Sequence, residues 1–236
     1  MMFTGGGDFE KVGQEFKQYL VELADLRPHE RVLDVGCGIG RMAVPLTQYL
    51  TKNAEYRGFD LVKERLDWCR QNISSRFGNF HFQHVDIYNK NYNPTGKIRA
   101  GDFRFPFKSG CFDVVLLASV FTHMLPRDVE AYLSEISRVL ARHGRCLLSL
   151  FLLNGESEDM IAAGRSTQMF RFQVDECLTI DADNPEAAIA YREEAFLRLL
   201  ARYNMTLHGP VRYGSWCGRS AFLSYQDILV AVRNGG

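Results

Sequence analysis

Two spacings of apolar residues share this chain, one helical and one strand-like, and the changes between them mark its elements. Phe9, Val12, Phe16, Tyr19, Leu20 and Leu23 recur at helical spacing, so an amphipathic helix opens the chain and Pro28 breaks it. Arg31–Val35 is a short apolar run that reads as a buried strand. From Ile39 onward helical spacing returns, with Met42, Ala43 and Leu46 on one face. Glu55–Asp60 predicts a second strand, Lys63–Phe77 a helix, and Phe80–Asp86 a third strand. The run from Asp113 to Val120 is apolar on both faces, as a central parallel strand is. Pro126 starts a helix whose inner face is Val129, Tyr132, Leu133, Ile136, Val139 and Leu140; Gly144 is expected to stop it. Arg145–Leu153 returns as a strand. A last helix is expected from Asn184 as cap and Pro185 in first position, followed by two closing strands, Met205–Tyr213 and Tyr225–Val232.

Strands alternating with helices imply an α/β fold with a mostly parallel sheet. At 236 residues one buried core suffices, so 1–236 reads as a single domain. Residues 1–27 form an N-terminal helical segment, placed equally well over a ligand cleft or against the sheet. The polar, mixed stretch 154–183 reads as an insertion covering the substrate site. Lys+Arg and Asp+Glu are both 28, which argues against a nucleic-acid partner. A local basic lip from Lys90, Lys97, Arg99 and Arg104 remains open. The start carries no basic region followed by an apolar run, and Val114–Val120 is too short to span a bilayer. The six cysteines are widely spaced with no C-x-x-C pair, so a reduced, cytoplasmic chain with no metal cluster is expected.

The candidate chemistry lies in Glu30–Leu46, ERVLDVGCGIGRMAVPL. Strand, glycine-rich turn and helix in that order place a nucleotide-like ligand over the carboxyl end of the strand. The glycines run G-x-G-x-G, and Arg41 stands where a dinucleotide fingerprint wants its third glycine. Asp34 adds a negative charge that repels a pyrophosphate and favours a cationic cofactor. Asp60 closes the second strand, twenty residues after Gly40, where a carboxylate can accept hydrogen bonds from a ribose diol.

VLDVGCGIGR resembles the first motif of the class I S-adenosylmethionine-dependent methyltransferases. YRGFD (56–60), HVDI (84–87), CFDVVLLASV (111–120) and YLSEISRVLARHG (132–144) fit the same family in the same order. The resemblance implies a Rossmann-like seven-stranded methyltransferase fold, a mostly parallel sheet with an antiparallel C-terminal edge and helices on both faces. It implies S-adenosyl-L-methionine as cofactor and S-adenosyl-L-homocysteine as product. The cofactor would be held by Asp34, Gly36, Cys37, Gly38, Gly40 and Arg41, by Asp60 and Leu61, by Asp86 and Ile87, and by Ala118, Ser119 and Val120. Within that set Asp86 would meet the adenine amino group and Ile87 would pack on the ring. Methyl transfer in such enzymes is a direct in-line displacement that needs an acceptor lone pair and no covalent nucleophile.

ASVF after the fourth strand, in place of [DN]-P-P-[FYW], argues against base N-methylation of DNA and resembles the small-molecule branch. A hydroxyl of a small molecule or glycan is the expected acceptor. His123 is the candidate general base, since histidine titrates near neutrality, with a structural role equally open. Phe121 and His123 lead into the expected cleft. Tyr213 and Trp216 suit stacking on a planar or sugar substrate, with core or rim packing as the other reading. An RNA or protein methyltransferase, a non-catalytic S-adenosylmethionine-binding subunit and an NAD(P)-dependent oxidoreductase stand as alternatives, the last opposed by Arg41. Monomer and homodimer are both compatible with the pattern.

Overall fold

Strand β1 (Arg31–Val35) lies inside the main sheet of the structure, a computed structural model that describes residues 6–235. It follows helix α1 (Phe9–Glu22) and leads through a glycine turn to the short helix α2 (Ala43–Leu46). Strand β2 (Glu55–Asp60), helix α3 (Lys63–Cys69), strand β3 (Phe80–His84) and strand β4 (Phe112–Ala118) come next. After them run helix α4 (Pro126–Val139), β5 (Leu140–Leu150), β6 (Leu152–Leu153), α5 (Gly155–Ala162), β7 (Phe172–Val174) and β8 (Cys177–Thr179). The chain closes with β9 (Ile189–Arg192), α6 (Glu193–Arg202), β10 (Met205–Leu207) and β11 (Asp227–Arg233).

Seven strands form one sheet in the order β10-β11-β5-β4-β1-β2-β3. β1 runs parallel to β2 and β4, β3 parallel to β2, and β5 parallel to β4. Only β11 opposes its neighbours, pairing antiparallel with both β5 and β10. This is the expected mostly parallel sheet with an antiparallel C-terminal edge. The period of two splits each central strand between two cores. Leu33, Val35, Val115 and Leu117 face a core shared with α4 and α6. Val32, Val114 and Leu116 face a second core with α1, α2 and α3.

Three expectations from the sequence are corrected. The helix expected from Ile39 starts only at Ala43, because Gly36, Gly38 and Gly40 take φ of 73°, 54° and 76° and cannot belong to a right-handed helix. Gly144 does not stop α4, which ends at Val139. Leu140 is already extended and pairs with Phe112, and the pairing shifts register before Val114. The helix expected from Asn184 is a single 3₁₀ turn, Pro185–Ala187, then β9, with α6 starting at Glu193. Ile189, Ala190 and Tyr191 are buried between β6 and β8, so strand pairing outweighs the local helical pattern there.

Strands β6, β9, β8 and β7 form a second, four-stranded sheet in that order. Within 154–183, α5 begins with a capping box: the Asn154 side chain accepts from Ser157 N–H, and Ser157 Oγ accepts from Asn154 N–H. Arg219 ties this region to the C-terminal loop, donating to Glu156, Asn154 Oδ1 and the carbonyl of Gly214. Helix α1 packs on α2, where a Cβ on Gly13 would stand 2.6 Å from the Arg41 carbonyl, and none of its residues lines the cavity described below. Among the described residues no helix is long and apolar enough to cross a membrane.

Candidate active site

The turn after β1 is shaped by what its glycines leave open. A Cβ on Gly36 would meet Val120 Cγ2 at 2.8 Å, so the turn can press against the loop after β4 only without a side chain. A Cβ on Gly38 would meet nothing within 4 Å, because that face opens on a cavity. Asp60 at the end of β2 fixes the turn: Oδ2 accepts from Gly38 N–H and Oδ1 from Val62 N–H, both at 2.8 Å.

The cavity, of about 530 Å³, lies over the carboxyl ends of β1, β2 and β4. Of the residues expected to meet the cofactor, Gly36, Gly38, Asp60, Leu61, Ile87, Ala118, Ser119 and Val120 line it, and so does His123. Ser119 takes φ 59°, an uncommon conformation for a residue with a Cβ. Its strain is held by a closed network: Ser119 N–H donates to Ser149 Oγ, and both serine hydroxyls donate to Gln226 Oε1. His123, in a 3₁₀ turn, places Nδ1 2.9 Å from the Glu186 carbonyl. A carbonyl only accepts, so Nδ1 carries a proton there, and in the neutral ring Nε2 keeps its lone pair.

The other expected residues are placed elsewhere. Asp34 is 1% exposed and points with Val32 into the second core, where the Tyr56 hydroxyl donates to it. Burial pushes its carboxyl up to about 7, the Tyr56 hydrogen bond opposing and the charge of Asp60 adding to the rise. Cys37 is buried with its sulfur against Gly58. Gly40 packs on Ile73 and Cys69, and Arg41 donates to the Gly6 carbonyl. Asp86 does not line the cavity; its main-chain carbonyl accepts from Lys97 and Ile98 N–H. Phe121 is core, packed edge-on to Phe196. Tyr213 donates to Glu193 under the Arg219 guanidinium. Trp216 is fully buried with its indole N–H donating to Asp227. Neither Tyr213 nor Trp216 lines the cavity.

Sequence reasoning missed Arg65, Asn89, Tyr92, Asp128, Tyr132 and Glu186, which all face the cavity. Asp128 and Tyr132 were hidden inside a regular helical pattern, and Asn89 and Tyr92 in a connection without periodicity. Arg65 lies over the Tyr92 ring at 5.6 Å, and Tyr92 meets His123 edge-on at 6.1 Å. Asn89 donates to Glu186 Oε1, Lys90 Nζ to the Asp183 carbonyl, and Asn184 Nδ2 to Asn91 Oδ1, which joins the 89–92 loop to the segment 183–186. Burial raises the Glu186 carboxyl, with the charge of Asp128 adding and Lys90 opposing.

Comparison with known proteins agrees with this geometry. Residues 33–148 match the methyltransferase domain family. Methyltransferase GfsG of Streptomyces halstedii is 25% identical over 153 residues, 65% of this chain and 49% of that protein. The 23S rRNA (uracil(1939)-C(5))-methyltransferase RlmD of Shewanella sediminis is 33% identical over 86 residues, 34% of this chain and 19% of that one. The chain thus spans half or less of these curated relatives. Among solved structures, 1,6-didemethyltoxoflavin-N1-methyltransferase of Burkholderia thailandensis superposes with a TM-score of 0.62 at 17% identity, over 96% of this chain and 80% of that one, and shares the fold. By strand order, by the glycine turn anchored on Asp60 and by the methyltransferase-domain match over residues 33–148, the chain has the class I S-adenosylmethionine-dependent methyltransferase fold.

Proposed function

We propose that the chain transfers the methyl group of S-adenosylmethionine to a hydroxyl of a small molecule or sugar. The observation that carries this reading is Asp60, whose two oxygens each accept one main-chain N–H at the cavity wall and each keep capacity for a further donor. That is the arrangement a ribose diol needs, and the open face of Gly38 beside it leaves room for the bound nucleoside. Leu61, Ile87 and Val120 supply apolar walls for a base, and Gly36 and Ser119 flank the other end. When bound, S-adenosylmethionine supplies a methyl on a sulfonium centre, open to direct displacement by an acceptor lone pair.

The chain's own residues then bind, orient and exclude water. His123 Nε2, free because Nδ1 is committed to Glu186, takes the proton of an acceptor hydroxyl. The 89–92 loop and the segment 183–186, tied together over the cavity, shield it from solvent. The second sheet braces that segment through Thr179 Oγ1, which lies 2.9 Å from the carbonyls of both Pro185 and Ala188 and shares its one proton between them. The 154–183 insertion thus acts as a brace behind the cover, since none of its residues lines the cavity. The small-molecule acceptor of the toxoflavin enzyme supports the choice of branch; the RlmD match supports RNA as the second acceptor class.

Calorimetric titration with S-adenosylhomocysteine, with NAD as control, is the test, followed by labelled methyl transfer to hydroxylated small molecules and to RNA. Binding of the first ligand alone and transfer to a hydroxyl are expected. Binding of NAD, or of neither, overturns the cofactor assignment. Transfer to RNA alone overturns the acceptor.

A further inference from the structure

Arg65 is a cation in the cavity wall with no counter-charge among the described residues. It stands in the first turn of α3 and lines the cavity. Its Nε is buried without a hydrogen-bond partner. Among the described residues its side chain forms no hydrogen bond and no ion pair, and its charge rests only on the Tyr92 ring, 5.6 Å from the guanidinium carbon. Contact with the face of a ring leaves the in-plane N–H donors unused. A guanidinium keeps its charge, so it cannot escape the cost of a buried unpaired donor by losing a proton. The two carboxyls on this part of the wall do not answer it: the positive charge acting on Asp128 is Arg127, and the one acting on Glu186 is Lys90. Of the basic lip read from the sequence, only Arg99 lines the cavity, and it too forms no ion pair among the described residues.

Tyr92 ties this cation to the acceptor side of the cavity. Its ring meets Arg65 through one contact and His123, the proposed base, through another, with 6.1 Å between the two ring centres. A molecule that offers a hydroxyl to His123 Nε2 can therefore reach Arg65 with a group on its far side. The Nε and one Nη of a guanidinium form a planar fork that matches two oxygens of a carboxylate or a phosphate. We infer that the acceptor is an anion as well as an alcohol: a hydroxylated small molecule whose carboxylate or phosphate is held by the Nε–Nη edge of Arg65 while its hydroxyl meets His123. The inference rests on the S-adenosylmethionine reading of the cavity, which leaves this side to the acceptor.

The experiment titrates D-glucose 6-phosphate, D-glucuronate and D-glucose by calorimetry into the wild-type chain, Arg65→Gln and Arg65→Lys, with and without saturating S-adenosylhomocysteine. Each protein is checked by thermal denaturation. The wild type is expected to bind at least one of the two anions about tenfold or more tightly than glucose, the scale of one charge-assisted hydrogen bond, and the anion preferred tells phosphate from carboxylate. Arg65→Gln should compress that ratio to within about threefold; Arg65→Lys, which keeps the charge and loses the fork, should fall between. A merely structural role for Arg65 would leave the ratio unmoved. A wild type without preference for an anion, or a folded Arg65→Gln protein that keeps the wild-type ratio, overturns the inference. If Arg65→Gln fails to fold, Arg65→Lys decides, and an unchanged ratio there overturns it as well. An anion displaced by S-adenosylhomocysteine also overturns it, since the cofactor's own carboxylate would then be what Arg65 holds. All of these leave the methyltransferase reading standing. A wild type that does not bind S-adenosylhomocysteine removes that reading, while the titrations without it still report whether Arg65 holds an anion.

Discussion

Replacing Asp60 with Ala separates ligand recognition from fold more cleanly than any other change. The carboxylate makes two bonds of its own to the protein, from Gly38 N–H and Val62 N–H, each 2.8 Å long. Both donors lie in half-buried residues at the cavity wall, where water can replace the lost acceptor, so the stability cost is expected to stay near ~1 kcal/mol per bond or below. The ligand loses more. Ribose hydroxyls donating to a carboxylate are charge-assisted, and losing them costs about 1.5–3 kcal/mol, or roughly 10- to 150-fold in affinity. Asp60→Asn keeps the shape but turns an NH₂ toward one of the two main-chain donors, and should fall between Ala and wild type. Calorimetry with S-adenosylhomocysteine at fixed ionic strength measures the affinity, and urea denaturation of the same samples measures the stability. An Asp60→Ala protein that is folded and binds within about threefold of wild type would refute the assignment of the ribose to this carboxylate.

Three further outcomes are expected. His123→Ala should lower turnover by about 10²-fold or more while the dissociation constant for S-adenosylhomocysteine changes little; an equal loss in both would make it a cofactor-pocket residue and not a base. Asp227 is fully buried and accepts from Gly214 N–H, Leu152 N–H and the Trp216 indole, with Arg219 at 3.5 Å, so Asp227→Ala should cost about 3–5 kcal/mol in urea denaturation. A loss under about 1 kcal/mol would show that these donors find other partners. Asp34, with its folded carboxyl raised to about 7 by burial, binds a proton in the native state that the unfolded chain has released, so its contribution to stability falls as pH rises from about 4 to about 7. The slope is at most ~1.4 kcal/mol per pH unit, and Asp34→Asn should flatten the profile over that window; an unchanged profile would place the carboxyl's titration elsewhere.

Local pattern alone determined much of this protein. The alternation of strands and helices, the limits of β2, the opening helix and the position of Asp60 at a strand end all follow from period, glycine spacing and capping chemistry, which act over a few residues. The glycine turn was legible as a ligand cradle for the same reason, since positive φ and the absence of a Cβ are properties of single positions. Which side chains face the ligand was decided only by the tertiary structure. Asp34 reads as a charge beside the cofactor, but the two-residue period of β1 turns it to the opposite core, where Tyr56 of the neighbouring strand meets it. Trp216 reads as a stacking platform, but Asp227, eleven residues later, draws its indole into the interior. Asp128 and Tyr132 read as part of an ordinary amphipathic helix, and only the packing of α4 against β5 and the turn Ala100–Asp102 leaves their face on the cavity. β9 carries a helical pattern and forms a strand because β6 and β8 offer it hydrogen bonds on both sides. Local sequence fixes the conformation of a segment through its own backbone; the facing of a side chain depends on partners far along the chain, and their contact energies exist only once the sheet has assembled.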